Sequence, residues 1–73
     1  MNEQEHAWIV SDPAHLDGEP RIAGTRISIE FLLEAFACGM TLADILREYP
    51  TLTEEAIKGT LRELARRAGS RAA

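Results

Sequence analysis

The punctuation after Ser28 is what most constrains this chain. Three apolar stripes at helical spacing follow one another, and each opens on a hydroxyl residue suited to capping a helix. Ile29, Leu32, Leu33 and Phe36 fall at i, i+3, i+4 and i+7, which predicts a first helix from about 29 to 38 with Ser28 as its N-cap. Gly39 supplies the left-handed residue that ends it. Thr41, with Asp44 three places on, makes a capping box with the shorter acid and opens a second helix over about 42 to 48. Its stripe is Leu42, Ile45, Leu46 and Tyr49, and Pro50 stops it because the residue before a proline avoids helical backbone angles. Thr53 caps a third helix, 54 to 68, that turns Ala56, Ile57, Thr60, Leu61, Leu64, Ala65 and Ala68 inward. Glu54 and Glu55 at its start and Arg66 and Arg67 at its end complement the helix dipole. Gly59 lies inside this helix at a cost of about 1 kcal/mol relative to alanine. It reads as tolerated, the alternative being close approach by another backbone.

Ahead of the helices, Trp8, Ile9 and Val10 form a brief strand ended by the turn composition Ser11-Asp12-Pro13. Ala23-Gly24 is a candidate hairpin tip, since glycine supplies positive φ. A two-residue tip puts Ile22 opposite Thr25, Arg21 opposite Arg26 and Pro20 opposite Ile27, with one apolar face and one face carrying both guanidinium groups. Like charges directly across a ribbon are destabilising, so Arg21 and Arg26 call for an anion between them or a carboxylate on each. Asp12, Asp17, Glu19 and Glu30 are local structural partners; a phosphate of DNA or the carboxylates of a protein partner are the functional ones.

The architecture expected is mainly α, three helices with a short N-terminal β-strand or hairpin element. Residues 1–7 and 69–73 are expected to be flexible tails around one domain at 8–68. A chain of 73 residues buries only about 60% of its unfolded surface, and with Cys38 as the only cysteine it has no disulfide framework. Self-association is the expected remedy, a homodimer with Trp8, Ile9 and Val10 contributing most. The lone cysteine and the absence of a leader or a span of about 20 apolar residues point to the cytoplasm and away from a membrane. A formal net charge of −4 argues against non-specific coating of nucleic acid but leaves room for a local basic face.

The run Gly18-x-Pro20-x-Ile22-x-Gly24-Thr25-Arg26-Ile27, followed by a helix, Gly39, a short helix, Tyr49-Pro50-x-Leu52-Thr53 and a final helix, resembles the small bacterial family known as domain of unknown function 433 over residues 8–68. The resemblance implies a homeodomain-like helix-turn-helix core. It also implies an antitoxin-like role of the VapB type, neutralising a PIN-like ribonuclease. Such nucleases hold metal with clustered carboxylates, among which a guanidinium competes with the cation. Arg66, Arg67 and Arg71 of the C-terminal segment rank ahead of Arg21 and Arg26 for that part.

Two helix-turn-helix frames fit. With the second helix as reader, the exposed side offers Asp44, Arg47 and Glu48, a poor match for a phosphate-lined groove. With the third as reader, Lys58, Arg62 and Arg66 meet the DNA, and this frame is preferred. Catalysis finds no foothold. His6 and His15 lack partner constellations, Cys38 has no basic neighbour in sequence, and Glu54 and Glu55 point about 100° apart. The chain reads as a non-enzymatic, antitoxin-like regulator that binds a PIN-like nuclease and its own operator DNA, without cofactor or small-molecule ligand. The alternative is a protein-interaction module or small structural homodimer that binds no DNA.

Overall fold

Every helix begins where a hydroxyl side chain can satisfy an otherwise unpaired backbone N–H. The computed structural model of the protein describes residues 7–13 and 18–69. Within them the order is β1 (Ile9–Val10), β2 (Arg21–Ile22), α1 (Ile29–Ala37), α2 (Leu42–Glu48) and α3 (Glu54–Arg67). The fold is thus mainly α, three helices with a small two-stranded element at the N-terminus, as expected. The tails assigned to 1–7 and 69–73 lie, apart from Ala7 and Gly69, outside the described residues.

Ser28 Oγ accepts the Phe31 N–H at 3.0 Å and Thr53 Oγ1 accepts the Ala56 N–H at 3.0 Å. At α2 the capping box is reciprocal: Thr41 Oγ1 accepts the Asp44 N–H at 3.0 Å, and Asp44 Oδ2 accepts the Thr41 N–H at 2.9 Å. Gly39, at φ +99, closes α1 in a Schellman motif. The Met40 N–H donates to the Ala35 carbonyl at 3.1 Å, and the Gly39 N–H to that of Phe36 at 3.0 Å. Tyr49, at φ −126 and ψ 81 and so outside the helical region before Pro50, ends α2, and the Leu52 N–H returns to the Tyr49 carbonyl at 2.9 Å.

The core is Ile9, Ile22, Ile29, Leu32, Ala35, Ile45, Leu52, Ala56 and Ile57, so every described element contributes to one cluster. Thr60 is fully buried beside it. Two details of the apolar stripes differ from expectation. Leu33 is exposed, because α1 buries the narrower stripe Ile29, Leu32 and Ala35, and Leu33 lies about 100° round the helix from Leu32. On α3 the buried face ends near Leu64, leaving Ala65 and Ala68 in solvent.

The ribbon register also differs. β1 and β2 are antiparallel, with Ile9 opposite Ile22 and Val10 opposite Arg21. Across the tip, Arg21 bridges to Ser28 rather than to Arg26, and the Ile22 N–H donates to the Ile27 carbonyl at 2.9 Å. Thr25 causes the shift. Its hydroxyl donates to the Ile22 carbonyl at 2.8 Å and accepts the Ile27 N–H at 3.0 Å, which adds two residues to the tip around Gly24 at φ +78. The guanidinium groups are therefore spared direct opposition.

Candidate functional site

Cationic side chains collect in two places. The first is α3, where Lys58, Arg62 and Arg66 repeat at i,i+4 along an exposed stripe. Lys58 Nζ lies 2.8 Å from Glu54 Oε2, and that ammonium group holds the Glu54 carboxyl below its ordinary pKa. Arg62 and Arg66 form no hydrogen bond or ion pair among the described residues. Arg67, the next cation on the helix, is bound 2.9 Å from Glu63 Oε2. Arg71 lies outside the described residues.

Glu63 is a residue whose part the sequence conceals. Its other oxygen accepts the Trp8 N–H at 2.8 Å and the Ile9 N–H at 3.3 Å, so one carboxylate ties the outer edge of β1 to α3. An acid on a charged helix looks like any solvated residue, and the contact spans more than fifty positions, beyond any local pattern. The same arrangement places the three residues expected at a dimer interface. Ile9 is buried in its own protomer's core, Val10 pairs with Arg21, and the Trp8 indole lies over Gly59 of α3. Gly59 therefore marks a close approach, since a Cβ there would overlap the indole. The approaching group is a side chain rather than a backbone.

The second place is a cleft of about 640 Å³ between the ribbon tip and the α2–α3 loop, which brings together Arg21, Thr25, Arg26, Tyr49 and Thr51. Arg21 is half-buried. Its Nη1 donates to the Thr25 carbonyl at 3.2 Å, and its Nε is buried without a partner. Arg26 is exposed and forms no hydrogen bond or ion pair among the described residues. A smaller recess of about 320 Å³ shares Arg26 and Tyr49 with the cleft and adds Phe31 and Glu19. There the Phe31 and Tyr49 rings meet edge to face, centroids 5.3 Å apart at 80°, with Phe31 40% exposed. Sequence alone brings Arg21 and Arg26 together. It does not bring the aromatic pair to them, because Tyr49 falls at a core position of its stripe and Phe31 lies outside the stripe of its helix.

Among the described residues no three of His, Cys, Asp and Glu are placed to hold a metal ion, and no helix is long and apolar enough to cross a membrane. Cys38 is exposed just past α1, while His6 and His15 fall outside the described residues. The family model described as Protein of unknown function (DUF433) matches residues 9–62, more than half of the chain's 73 residues. No curated protein and no solved structure matches the chain.

Proposed function

We propose, from the premise that this chain belongs to the DUF433 family, that it is a non-enzymatic, antitoxin-like regulator that binds operator DNA through α3 and holds a PIN-like nuclease with the arginines of its last turn and the segment that follows. The observation that supports the DNA part is the pair Arg62 and Arg66. They stand one turn apart, exposed, with no carboxylate of the described residues neutralising either. Guanidinium groups so placed bind phosphates and displace condensed counterions, giving an affinity that falls steeply with salt. Lys58 adds a weaker contact, since reaching a phosphate means leaving Glu54.

On the nuclease side, Arg66 is the available donor of the described C-terminal arginines. Arg67 is already held by Glu63, whose other oxygen anchors β1. Inserting Arg67 among a partner's carboxylates would give up its ion pair with Glu63, so Arg66 and Arg71 carry this part of the proposal. A second reading, a protein-interaction module without DNA binding, is favoured by the acidic entry to α3. Glu54 and Glu55 precede the cationic stripe in a chain of net charge −4.

Fluorescence anisotropy against the duplex upstream of the coding region, at several salt concentrations, tests the first reading. Binding is expected to weaken with salt, and Arg62→Ala with Arg66→Ala is expected to lower the log–log slope by about two units per protomer. Affinity indifferent to both substitutions overturns the DNA part. Inhibition of a co-purified nuclease that survives deletion of residues 66–73 overturns the other.

A further inference from the structure

We infer that the cleft between the ribbon tip and the α2–α3 loop binds a nucleotide of a single-stranded nucleic acid, its phosphate between Arg21 and Arg26 and its base against the Phe31–Tyr49 pair. Such a site is separate from α3 as a duplex-binding helix and uses none of that helix's residues.

Charge points first to an anion. The chain has 12 acidic residues against 8 lysines and arginines, yet the described residues that line the cleft include two arginines and no carboxylate. In so acidic a protein an arginine usually finds a carboxylate. Arg21 instead spends one N–H on the Thr25 carbonyl and leaves Nε buried and unpartnered. A part-buried guanidinium with an N–H unpartnered and no counter-charge among the described residues is costly, and an arriving oxyanion relieves that cost. Arg26, exposed and unpaired among the described residues, supplies the second fork. The hydroxyls of Tyr49 and Thr51 bond to no described residue, whereas that of Thr25 is consumed inside the turn.

The aromatic pair selects among oxyanions. Phe31 presents 40% of its surface beside Arg26, propped at its edge by Tyr49. A ring held rigid and open next to an arginine is the combination that stacks an unpaired base while neutralising the adjoining phosphate. A duplex keeps its bases stacked inside and cannot use the ring. Glu19, which also lines this recess, disfavours an acidic peptide there and accepts from a base amino or imino group. The cleft, at about 640 Å³, falls within the range of about 300 to 1,000 Å³ usual for small-ligand sites.

NMR titrations of the labelled full chain test this with five probes: inorganic phosphate, thymidine monophosphate, a thymidine hexamer, a duplex and hexaglutamate. The hexamer is expected to move the Phe31 and Tyr49 ring signals and the Arg21 and Arg26 side-chain signals together. Phosphate should move the arginines alone, with lower affinity. Arg26→Ala and Phe31→Ala, both at exposed positions, should each weaken the hexamer by about tenfold, in keeping with what a charge-assisted contact or a base stack contributes. Arg62→Ala with Arg66→Ala should leave it unchanged, which separates failure here from failure of the α3 reading. Absence of these shifts at millimolar hexamer overturns the site, as do Arg26→Ala and Phe31→Ala proteins that bind the hexamer as tightly as the unaltered chain. Hexaglutamate or the duplex binding the cleft as well as the hexamer overturns the single-strand assignment, and a monophosphate as tight as the hexamer overturns the strand.

Discussion

A methyl group added at position 59 would fall inside the van der Waals envelope of the Trp8 indole, at Nε1, Cδ1 and Cε2. Two effects then oppose each other. Alanine is better than glycine in a helix interior by about 1 kcal/mol. Displacing the half-buried indole forfeits part of the roughly 1.5 to 3 kcal/mol that burying a large apolar side chain contributes, and strains the Trp8 and Ile9 bonds to Glu63. Moving the indole costs more than the helix gains, so Gly59→Ala is expected to destabilise the protein by about 1 kcal/mol. The emission of the chain's single tryptophan should shift to the red. In a Trp8→Ala background the obstacle is gone and Gly59→Ala should stabilise. Denaturant unfolding of the four proteins checks this reversal of sign; an effect of the same sign in both backgrounds would mean that the indole does not demand the glycine. Sequence propensity registers what Gly59 costs the helix, and only the return of β1 to α3 shows why the cost is worth bearing.

Among the elements, α2 depends most on its caps, having seven residues and a single fully buried side chain, Ile45. Asp44 carries much of this. The Thr41 N–H, the Thr41 hydroxyl bond and the Arg47 guanidinium hold its carboxyl below its ordinary value of 3.8. A carboxyl whose pKa is depressed by folding stabilises above the unfolded value and loses that contribution as pH falls through the folded one. Asp44→Ala is therefore expected to lower the melting temperature at pH 7, with the gap closing below about pH 4. Thr53→Ala on α3, where the cap bond is to a hydroxyl, should lose about 1 kcal/mol at both pH values. A gap for Asp44→Ala that persists at about pH 2 would remove the charge from the explanation. Helix starts and stops are legible at this scale because capping is local: Ser28, Thr41, Thr53 and Gly39 each act within a few residues. The ribbon register is not, since the Thr25 hydroxyl could bond within its turn or point to solvent, and only the former adds two residues to the tip. The cleft is half legible for the same reason. Arg21 and Arg26 share a turn, but Phe31 and Tyr49 reach them only because the fold brings α1 and the end of α2 together in an edge-to-face ring contact.

For the whole molecule the question is what covers its remaining apolar surface. Trp8 and Ile9, expected at a subunit interface, are engaged within the protomer, which leaves Leu33 as the large aliphatic side chain in solvent among the described residues, 45% exposed. It lies in a groove of about 490 Å³ with Pro20, Ile29 and Ala37, rimmed by Glu19, Glu30 and Glu34. A domain of this size gains stability from association. A homodimer that meets through this groove buries Leu33 against its copy and brings carboxylate rims together. Salt screens that repulsion, so dimerisation should tighten as ionic strength rises, whereas binding of DNA through Arg62 and Arg66 should weaken. Sedimentation equilibrium at about 100 μM, well above the micromolar constants of ordinary specific interfaces, should return a dimer mass, and Leu33→Asp should return a monomer that melts cooperatively. A monomer mass for the unaltered chain at high salt would sink the homodimer. A dimer indifferent to Leu33→Asp would move the interface to the one residue of the first strand not committed to the core, Val10.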